Sequence, residues 1–168
     1  MGVRPTEYHS VSTQRSNSMK VKAEVTINAS QEAIWNVITD IDGAVDRISA
    51  IESVNVLDRP ESGLLGLKWE ETRIMFGKSA KETMWITDAV ENEYYQTRAE
   101  SHGAIYISGL RIEAADGANK LIMEFDGEAQ TLGGRIMSFL MGWLLKGFMV
   151  KAIQQDLNDI KSHLEGQS

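Results

Sequence analysis

Two glutamates and one arginine, Glu71, Glu82 and Arg73, are the side chains in this sequence whose types and spacing best suit chemistry. A turn centred on residues 76–77 pairs the strands on either side, so that Glu71 lies opposite Glu82 and Arg73 shares their face. Carboxylates on a mainly apolar face are costly unless they pair with arginine or take up a proton. Because paired carboxyl groups with different pKa values can act as acid and base, Glu71 and Glu82 are candidate catalytic residues. The alternative is that they lie at an open rim, where water solvates them.

The histidines offer no other catalytic centre. His9 falls in the N-terminal segment, His102 in a predicted turn and His163 near the end of the last predicted helix, so neither a buried general base nor a zinc site is predicted. The sequence has no cysteine, which excludes disulfides, thiolate catalysis and cysteine-ligated metal centres. It also lacks a serine–histidine–aspartate set and a phosphate-binding glycine loop. We therefore expect neither a metal nor a cofactor.

Length and composition indicate one globular domain. The chain has 168 residues, of which 42% are hydrophobic, enough to bury about 70% of the unfolded surface. Residues 1–18 are polar and lack a hydrophobic run, so we expect a disordered leader followed by a single domain over residues 19–166. The net charge of −7 argues against nucleic acid as a partner. The apolar run at residues 139–150 is too short to span a bilayer, and we expect a cytoplasmic protein.

The first elements are predicted to be a strand and two short helices. Apolar and polar residues alternate over residues 20–28, which is the period of a strand with one buried face. Ser30 suits the N-cap of an amphipathic helix over residues 31–39, and residues 44–49 suit a further helical turn.

Six further strands are predicted from turn signals and alternation. Glycine-containing turns at residues 76–77, 102–103 and 116–117 suit two-residue hairpin loops, and each determines the register of its two strands. The predicted cross-strand pairs are Trp69 with Met84, Glu71 with Glu82, Ala99 with Tyr106, Thr97 with Ser108, Ile112 with Leu121, and Leu110 with Met123. These registers predict an antiparallel sheet with one buried and one wet face. The buried face collects Leu67, Trp69, Met84, Ile86, Tyr95, Thr97, Tyr106, Leu110, Ile112, Leu121, Met123 and Phe125. The wet face takes Lys68, Glu70, Thr72, Lys81, Thr83, Glu124, Asp126 and Glu128.

The last element is predicted to be one long helix over residues 132–163. Its apolar stripe comprises Ile136, Leu140, Trp143, Gly147, Val150, Ile153, Leu157, Ile160 and Leu164. Residues 139–150 are apolar nearly all round, whereas from residue 151 onward the stripe alternates with polar side chains, Asp156 among them. The dry sheet face needs a cover and the helix needs an enclosing surface, so we expect the sheet to curl around the helix.

This order of elements resembles the START-like, or SRPBCC, superfamily. The features that carry the resemblance are Ser30 and Trp35 opening the first helix, Asp40 ending it, Gly63 and Gly66 before the third strand, and the Leu-Gly-Gly sequence at Leu132. The likeness spans residues 20–165 and is closest to the polyketide cyclase/dehydrase-like and lipid-transport branches. It implies an α+β helix-grip fold, in which a seven-stranded antiparallel sheet curls around the C-terminal helix and leaves a cavity for a hydrophobic ligand. Many relatives have tryptophan or proline after the first helix, where this chain has Asp46, Arg47 and Ile48.

The resemblance also implies which residues line the cavity. The predicted binding residues are Trp69, Glu71, Arg73, Glu82, Met84, Tyr95, Tyr106, Leu110, Met123, Phe125, Met137, Met141, Leu144, Leu145 and Phe148. We expect binding or transport of a small hydrophobic molecule, such as a lipid, an isoprenoid or a polyketide-like compound. The alternatives are a cofactor-free cyclase or dehydratase that uses Glu71 and Glu82, and a protein-interaction module that docks through residues 139–150. Arg98 and Glu100 fall on the wet face and are predicted to form a solvated pair.

Overall fold

The structure, a computed structural model, describes the backbone of residues 19–101, 104–129 and 132–166, and the side chains of residues 19–101, 104–128 and 146–166. The elements are β1 (Met19–Ile27), α1 (Gln31–Thr39), α2 (Ala44–Arg47), β2 (Ile51–Asp58), β3 (Lys68–Met75), β4 (Lys78–Val90), β5 (Tyr94–Ser101), β6 (Ala104–Ala115), β7 (Ala118–Ala129) and α3 (Leu132–Gly166). Each strand and helix predicted from the sequence is present, with bounds that differ by a few residues. The predicted leader and the turn at residues 102–103 lie outside the described residues.

The seven strands form one antiparallel sheet in the order β1-β7-β6-β5-β4-β3-β2. Each strand from β2 to β6 pairs with the next one along the chain, and β1 pairs with β7. The helices α1 and α2 fall in the connection from β1 to β2, and α3 packs against β1, β7 and both short helices. The predicted α+β fold, a curled antiparallel sheet that holds a long C-terminal helix, is confirmed.

Turn geometry explains the strand registers. Phe76 and Gly77 both have positive φ, 53° and 71°, as a two-residue type I′ hairpin loop requires, and Glu71 pairs with Glu82 as predicted. Gly117 has a φ of 75° in the turn from β6 to β7, a conformation that glycine adopts without steric cost. The other predicted pairs on β3 to β7 are also confirmed.

The first helix begins at the predicted cap and buries the predicted side. The Ser30 hydroxyl accepts a hydrogen bond from the Ala33 amide at 3.1 Å, which satisfies one of the amides left unpaired at the helix start. On the buried side, Trp35 packs edge-on against Tyr95 of β5, with ring centroids 6.4 Å apart. This contact holds α1 against the inner face of the sheet.

The inner face of the sheet divides into a buried and a half-buried region. The buried side chains are Leu67, Trp69, Ile86, Tyr95, Thr97, Leu110, Ile112 and Leu121. The half-buried side chains are Met84, Tyr106, Met123 and Phe125. All twelve belong to the face predicted to be buried, so partial exposure of the last four marks a gap between the sheet and the elements that cover it.

Polar contacts seat the C-terminal half of α3. The Ser49 amide donates to the Asp159 carboxylate at 2.9 Å, and the Lys161 ammonium donates to the Thr26 carbonyl at 2.6 Å. The first contact joins α3 to the segment between α2 and β2, and the second joins it to β1. Together they attach α3 to both neighbouring segments at its exposed edges.

Two positions of α3 differ from the prediction. Gly147, assigned to the apolar stripe, is exposed, and the buried stripe runs through Met149, Ile153 and Ile160. Asp156, predicted among the polar side chains outside the stripe, is only 4% exposed. It lies three residues after Ile153 and four before Ile160, and therefore on the same helix face. The predicted stripe residues Ile136, Leu140 and Trp143 have side chains outside the described residues.

Candidate ligand-binding site

A cavity of about 790 Å³ lies between the inner face of the sheet, the segment carrying α1 and α2, and the C-terminal half of α3. Ten of the predicted binding residues line it, namely Trp69, Glu71, Arg73, Glu82, Met84, Tyr95, Tyr106, Leu110, Met123 and Phe125. The helices complete a mainly apolar wall with Ile38, Ile48 and Met149. This volume falls within the range of roughly 300–1,000 Å³ that is typical of ligand pockets.

The other five predicted binding residues belong to α3. The side chains of Met137, Met141, Leu144 and Leu145 lie outside the described residues. Phe148 is half-buried and stacks on Phe76, with ring centroids 4.0 Å apart. Phe76 lines the cavity and is 52% exposed, so this aromatic pair joins the hairpin between β3 and β4 to α3 where the cavity meets the surface.

One end of the cavity holds an ionic cluster of Glu71, Arg73 and Asp156. Arg73 Nη2 lies 2.6 Å from Asp156 Oδ2, and Arg73 Nε lies 3.7 Å from Glu71 Oε1. Glu71 is 8% exposed. Strand alternation places Glu71 and Arg73 on the inner face of β3, and the phase of α3 directs Asp156 towards them. The cluster therefore connects the sheet to α3 across the cavity.

Burial dominates the electrostatics of the cluster. It raises the pKa of both Glu71 and Asp156, and the Arg73 guanidinium offsets only part of that rise. The nearby Asp156 and Glu82 raise the pKa of Glu71 further. For Arg73, burial disfavours the charged form, but the two carboxylates outweigh burial and raise its pKa. The guanidinium thus stays charged, and the two carboxyl groups hold a proton more readily than they would in water.

Two atoms of the cluster have no hydrogen-bond partner among the described residues. These are Arg73 Nε and Asp156 Oδ1, both buried. Leaving a buried polar group unpaired costs about 1–3 kcal/mol. The ion pair therefore keeps one donor and one acceptor unsatisfied, on side chains that line the cavity.

Two tyrosine hydroxyl groups add uncharged donors to the same wall. Burial raises the pKa of Tyr95 and of Tyr106, and nearby Glu71 and Glu82 respectively raise them further. Both phenols are therefore protonated at neutral pH. They can donate hydrogen bonds without adding charge to the cavity.

The candidate catalytic pair occupies the predicted register. Glu71 and Glu82 face each other on β3 and β4, and both line the cavity. Glu71 is buried rather than at an open rim, and Glu82 is half-buried. A carboxyl group held beside an arginine and a second carboxyl group can exchange a proton with a bound molecule. A catalytic role for the pair stays a prediction.

Among the wall residues that were not predicted as site residues are Asp156 and Arg47. Asp156 was assigned to the polar side of α3, although its spacing from Ile153 places it on the apolar stripe. Arg47 stands where many relatives carry tryptophan or proline. Its guanidinium binds Asp40 at 2.8 Å and donates to the Val37 carbonyl at 3.1 Å, so it braces the connection between α1 and α2 where that connection borders the cavity.

The outer face of the sheet carries paired charges instead. Arg98 Nη2 lies 2.7 Å from Glu100 Oε1, and both side chains are partly exposed, so the predicted solvated pair is confirmed. A second hollow of about 680 Å³ is lined by residues of both sheet faces and by Lys146 and Val150 of α3. Its rim includes the ion pairs Lys20–Asp126 and Lys22–Glu124, with oxygen–nitrogen distances of 3.3 and 3.8 Å. Its wall is therefore more polar than that of the cavity of about 790 Å³.

Residues 19–101, 104–129 and 132–166 contain neither a metal-binding cluster nor a membrane-spanning helix. Within these ranges no three histidine, aspartate or glutamate side chains are arranged to hold a metal ion. No helix there has both the length and the apolar character needed to cross a bilayer. His163 lies in α3, while His9 and His102 lie outside the described residues.

Comparison with known proteins identifies the family. A family model described as polyketide cyclase/dehydrase and lipid transport matches residues 18–165. The chain belongs to this family. The polyketide cyclase/dehydrase and lipid transport family lies within the START-like/SRPBCC superfamily that the sequence resembles. No curated protein sequence matches the chain significantly.

Solved structures share the fold at low sequence identity. A START superfamily protein from Mycobacterium smegmatis is 15% identical, with a TM-score of 0.74 over 89% of this chain and 99% of that one. The Zhui aromatase/cyclase from Streptomyces sp. R1128 is 16% identical, with a TM-score of 0.74 over 89% and 95%. TTHA0849 from Thermus thermophilus is 17% identical, with a TM-score of 0.74 over 89% and 99%. At such identities the likeness shows the helix-grip fold alone. The function of this family member therefore has to be inferred from its own cavity.

Proposed function

We propose that this member of the polyketide cyclase/dehydrase and lipid transport family binds and carries a small hydrophobic molecule, such as a lipid, an isoprenoid or a polyketide-like compound. The observation that carries the proposal is the cavity of about 790 Å³ between the sheet and α3. Four side chains on the inner face, Met84, Tyr106, Met123 and Phe125, are only half-buried because they border this space. Burying apolar ligand surface there is favourable by about 25 cal/mol per Å².

The arrangement of the wall supports binding over a purely structural role. A close-packed core leaves few voids larger than a water molecule, whereas this cavity is far larger. Its lining combines flexible methionines, such as Met84 and Met123, with a polar cluster at one end. Methionine side chains adapt to the shape of a ligand, and a few convergent polar groups orient it.

A cavity-filling variant tests the proposal. Met84→Trp adds volume inside the cavity, while Thr83→Trp adds the same group one residue away on the outer face of β4. Binding of the neutral fluorescent probe N-phenyl-1-naphthylamine should weaken about tenfold or more in Met84→Trp and stay unchanged in Thr83→Trp. In urea denaturation, Met84→Trp should lower the free energy of unfolding by less than the roughly 1–3 kcal/mol that overpacking costs in a filled core. Absence of probe binding by the unaltered protein would refute the proposal, and native mass spectrometry would show which molecule co-purifies.

A second candidate function is that of a cofactor-free cyclase or dehydratase. The observation that favours it is the buried pair of carboxyl groups, Glu71 and Asp156, on either side of Arg73. A carboxyl group whose pKa is raised by burial holds a proton more readily and can exchange it with a bound molecule, and a buried guanidinium can stabilise a developing oxyanion. Turnover of a β-polyketone that is lost in Glu71→Gln but kept in the surface variant Glu70→Gln would support catalysis. Tight probe binding without turnover leaves the carrier function.

Two further expectations stay predictions. The interaction-module alternative rests on residues 139–150, of which only the side chains from residue 146 onward are described. A pull-down with the isolated protein, repeated in the presence of excess N-phenyl-1-naphthylamine, would separate docking through this surface from binding in the cavity. The cytoplasmic location is tested by fractionating cells that express a tagged chain.

A further inference from the structure

The polar end of the cavity has a charge pattern that discriminates between ligand head groups. Resting on the proposed binding function, we propose that Glu71, Arg73 and Asp156 select a hydrophobic ligand whose polar end is an uncharged hydroxyl or phenol, and disfavour one that ends in a carboxylate. The proposal follows from the charges of the cluster, from its donors and acceptors and from the positions of the other basic side chains around the cavity.

The cluster already holds more acidic than basic groups. Two carboxyl groups flank the single guanidinium of Arg73, at 2.6 Å for Asp156 and 3.7 Å for Glu71. A third carboxyl group, Glu82, faces Glu71 from the neighbouring strand and also lines the cavity. A ligand carboxylate at this end would add a fourth acid next to one shared cation. Like charges in a poorly solvated site repel strongly, so such a ligand would bind only after a proton was taken up.

The cluster offers both donors and acceptors at the cavity wall. Arg73 can only donate, and the carboxylates of Glu71 and Asp156 beside it can only accept. A hydroxyl group both accepts and donates a hydrogen bond, so it can pair with either kind of group. A carboxylate only accepts, so it could not donate to Glu71 or Asp156 and would be repelled by both.

The other basic side chains around the cavity do not favour an anion at this end. Arg47 is held by Asp40 at 2.8 Å, and Lys81 is held by Glu70 at 2.9 Å on the outer side of the sheet. Lys78 is exposed at the end of the hairpin, where water and salt screen its charge. Arg73 is therefore the cation that a head group at the cluster would meet.

The experiment compares two ligands that differ only in the head group. Decanol and decanoate each compete with N-phenyl-1-naphthylamine for the unaltered protein near neutral pH. We expect decanol to compete at a concentration about tenfold or more below that of decanoate. In Glu71→Gln, which keeps the pair of Arg73 with Asp156 but removes one acidic group, decanoate should gain affinity and the preference should shrink. In Glu113→Gln, an equal change of charge at an exposed position on the outer face of β6, the preference should stay as in the unaltered protein.

The outcomes separate this inference from the binding function on which it rests. If the probe binds but decanoate competes as well as decanol, the head-group selectivity is refuted and the binding function stands. If decanol is preferred equally in Glu71→Gln and the unaltered protein, the cluster is not its cause, and the inference is overturned. If the probe does not bind at all, both fail. Because the comparison of decanol with decanoate uses the unaltered protein, it can refute the selectivity even where a variant is unstable.

Discussion

Replacing Arg73 with methionine is the sharpest test of the ionic cluster. Methionine keeps much of the apolar stem but removes the guanidinium that both Glu71 and Asp156 contact. Breaking a buried ion pair by removing one partner costs about 3–5 kcal/mol, because the remaining charge stays buried without compensation. The Arg73 side chain is 21% exposed, and the two carboxyl groups can escape part of the cost by protonation. We therefore expect the lower end, about 3 kcal/mol at neutral pH.

The loss of stability in Arg73→Met should depend on pH in a defined direction. Burial raises the pKa of Glu71 and Asp156 above their ordinary values of 4.5 and 3.8. A group whose pKa is raised by folding contributes stability below its ordinary pKa, and that contribution is lost as the pH rises through the raised value. Arg73→Met removes the main interaction that lowers the pKa values of Glu71 and Asp156. In the variant the two carboxyl groups therefore lose their contribution to stability at higher pH, and the loss of stability is larger. The difference between variant and unaltered protein should therefore be small near about pH 4 and largest at neutral pH.

Urea denaturation followed by tryptophan fluorescence at both pH values measures this difference. At neutral pH a loss of about 3 kcal/mol should also lower the melting temperature by roughly 6–12 °C for a domain of this size. Arg98→Met is the matched control, since it removes the same group from the partly exposed pair with Glu100, and should cost less than about 1 kcal/mol. A loss in Arg73→Met no larger than in Arg98→Met, or one that does not shrink in acid, would refute the account of the cluster given above.

Three further predictions concern the elements that position the cavity. Gly117→Val should destabilise by about 1 kcal/mol or more, because a β-branched residue is poorly tolerated at positive φ, and an unchanged urea midpoint would count against the turn geometry. Ser30→Ala should cost about 1 kcal/mol through loss of the cap to the Ala33 amide, whereas Ser30→Asp, which can also cap, should cost less in the same assay. Removal of residues 1–18 should leave the melting temperature unchanged, because a polar segment contributes little burial, and a fall of several degrees would contradict this.

The sheet could be predicted in detail because its registers depend on local chemistry. A two-residue turn with glycine, such as the one ending at Gly77 or Gly117, determines which residues face each other along both attached strands. Alternation then assigns each side chain to a face, and so the positions of Glu71, Arg73 and Glu82 followed from the sequence. No long-range information was needed for the predicted pairs, since each joins strands that are neighbours along the chain. The pairing of β1 with β7 was not among them.

The helix could be predicted only in part, for a physical reason. Residues 139–150 are apolar nearly all round, so the pattern there does not show which side faces the sheet, and Gly147 was assigned to the wrong side. Asp156 was missed because a carboxylate beside an apolar stripe is usually solvated. The partner that compensates its burial is Arg73, which is 83 residues earlier in the sequence. Only the folded chain brings the two together.

The size of the cavity depends on the shape of the sheet, which alternation alone does not determine. Register irregularities between Ile86 and Asp88, and between Ile51 and Ser53, are bulges of the kind that bend strands and increase their twist. The sequence pattern identified the wall residues but carried no signal for these bends. The sequence pattern therefore did not distinguish a packed core from an open cavity.

Assembly of the polar end from both halves of the fold links ligand binding to stability. Glu71 and Arg73 come from the sheet and Asp156 comes from α3, so the complete site exists only when the helix is seated. A ligand that needs all three side chains binds the folded chain and not the unfolded one. Free ligand at about a hundred times its dissociation constant would then add about 2.7 kcal/mol to the free energy of unfolding. If decanol binds as proposed, it should raise the melting temperature of the unaltered protein, and decanoate at the same concentration should raise it less.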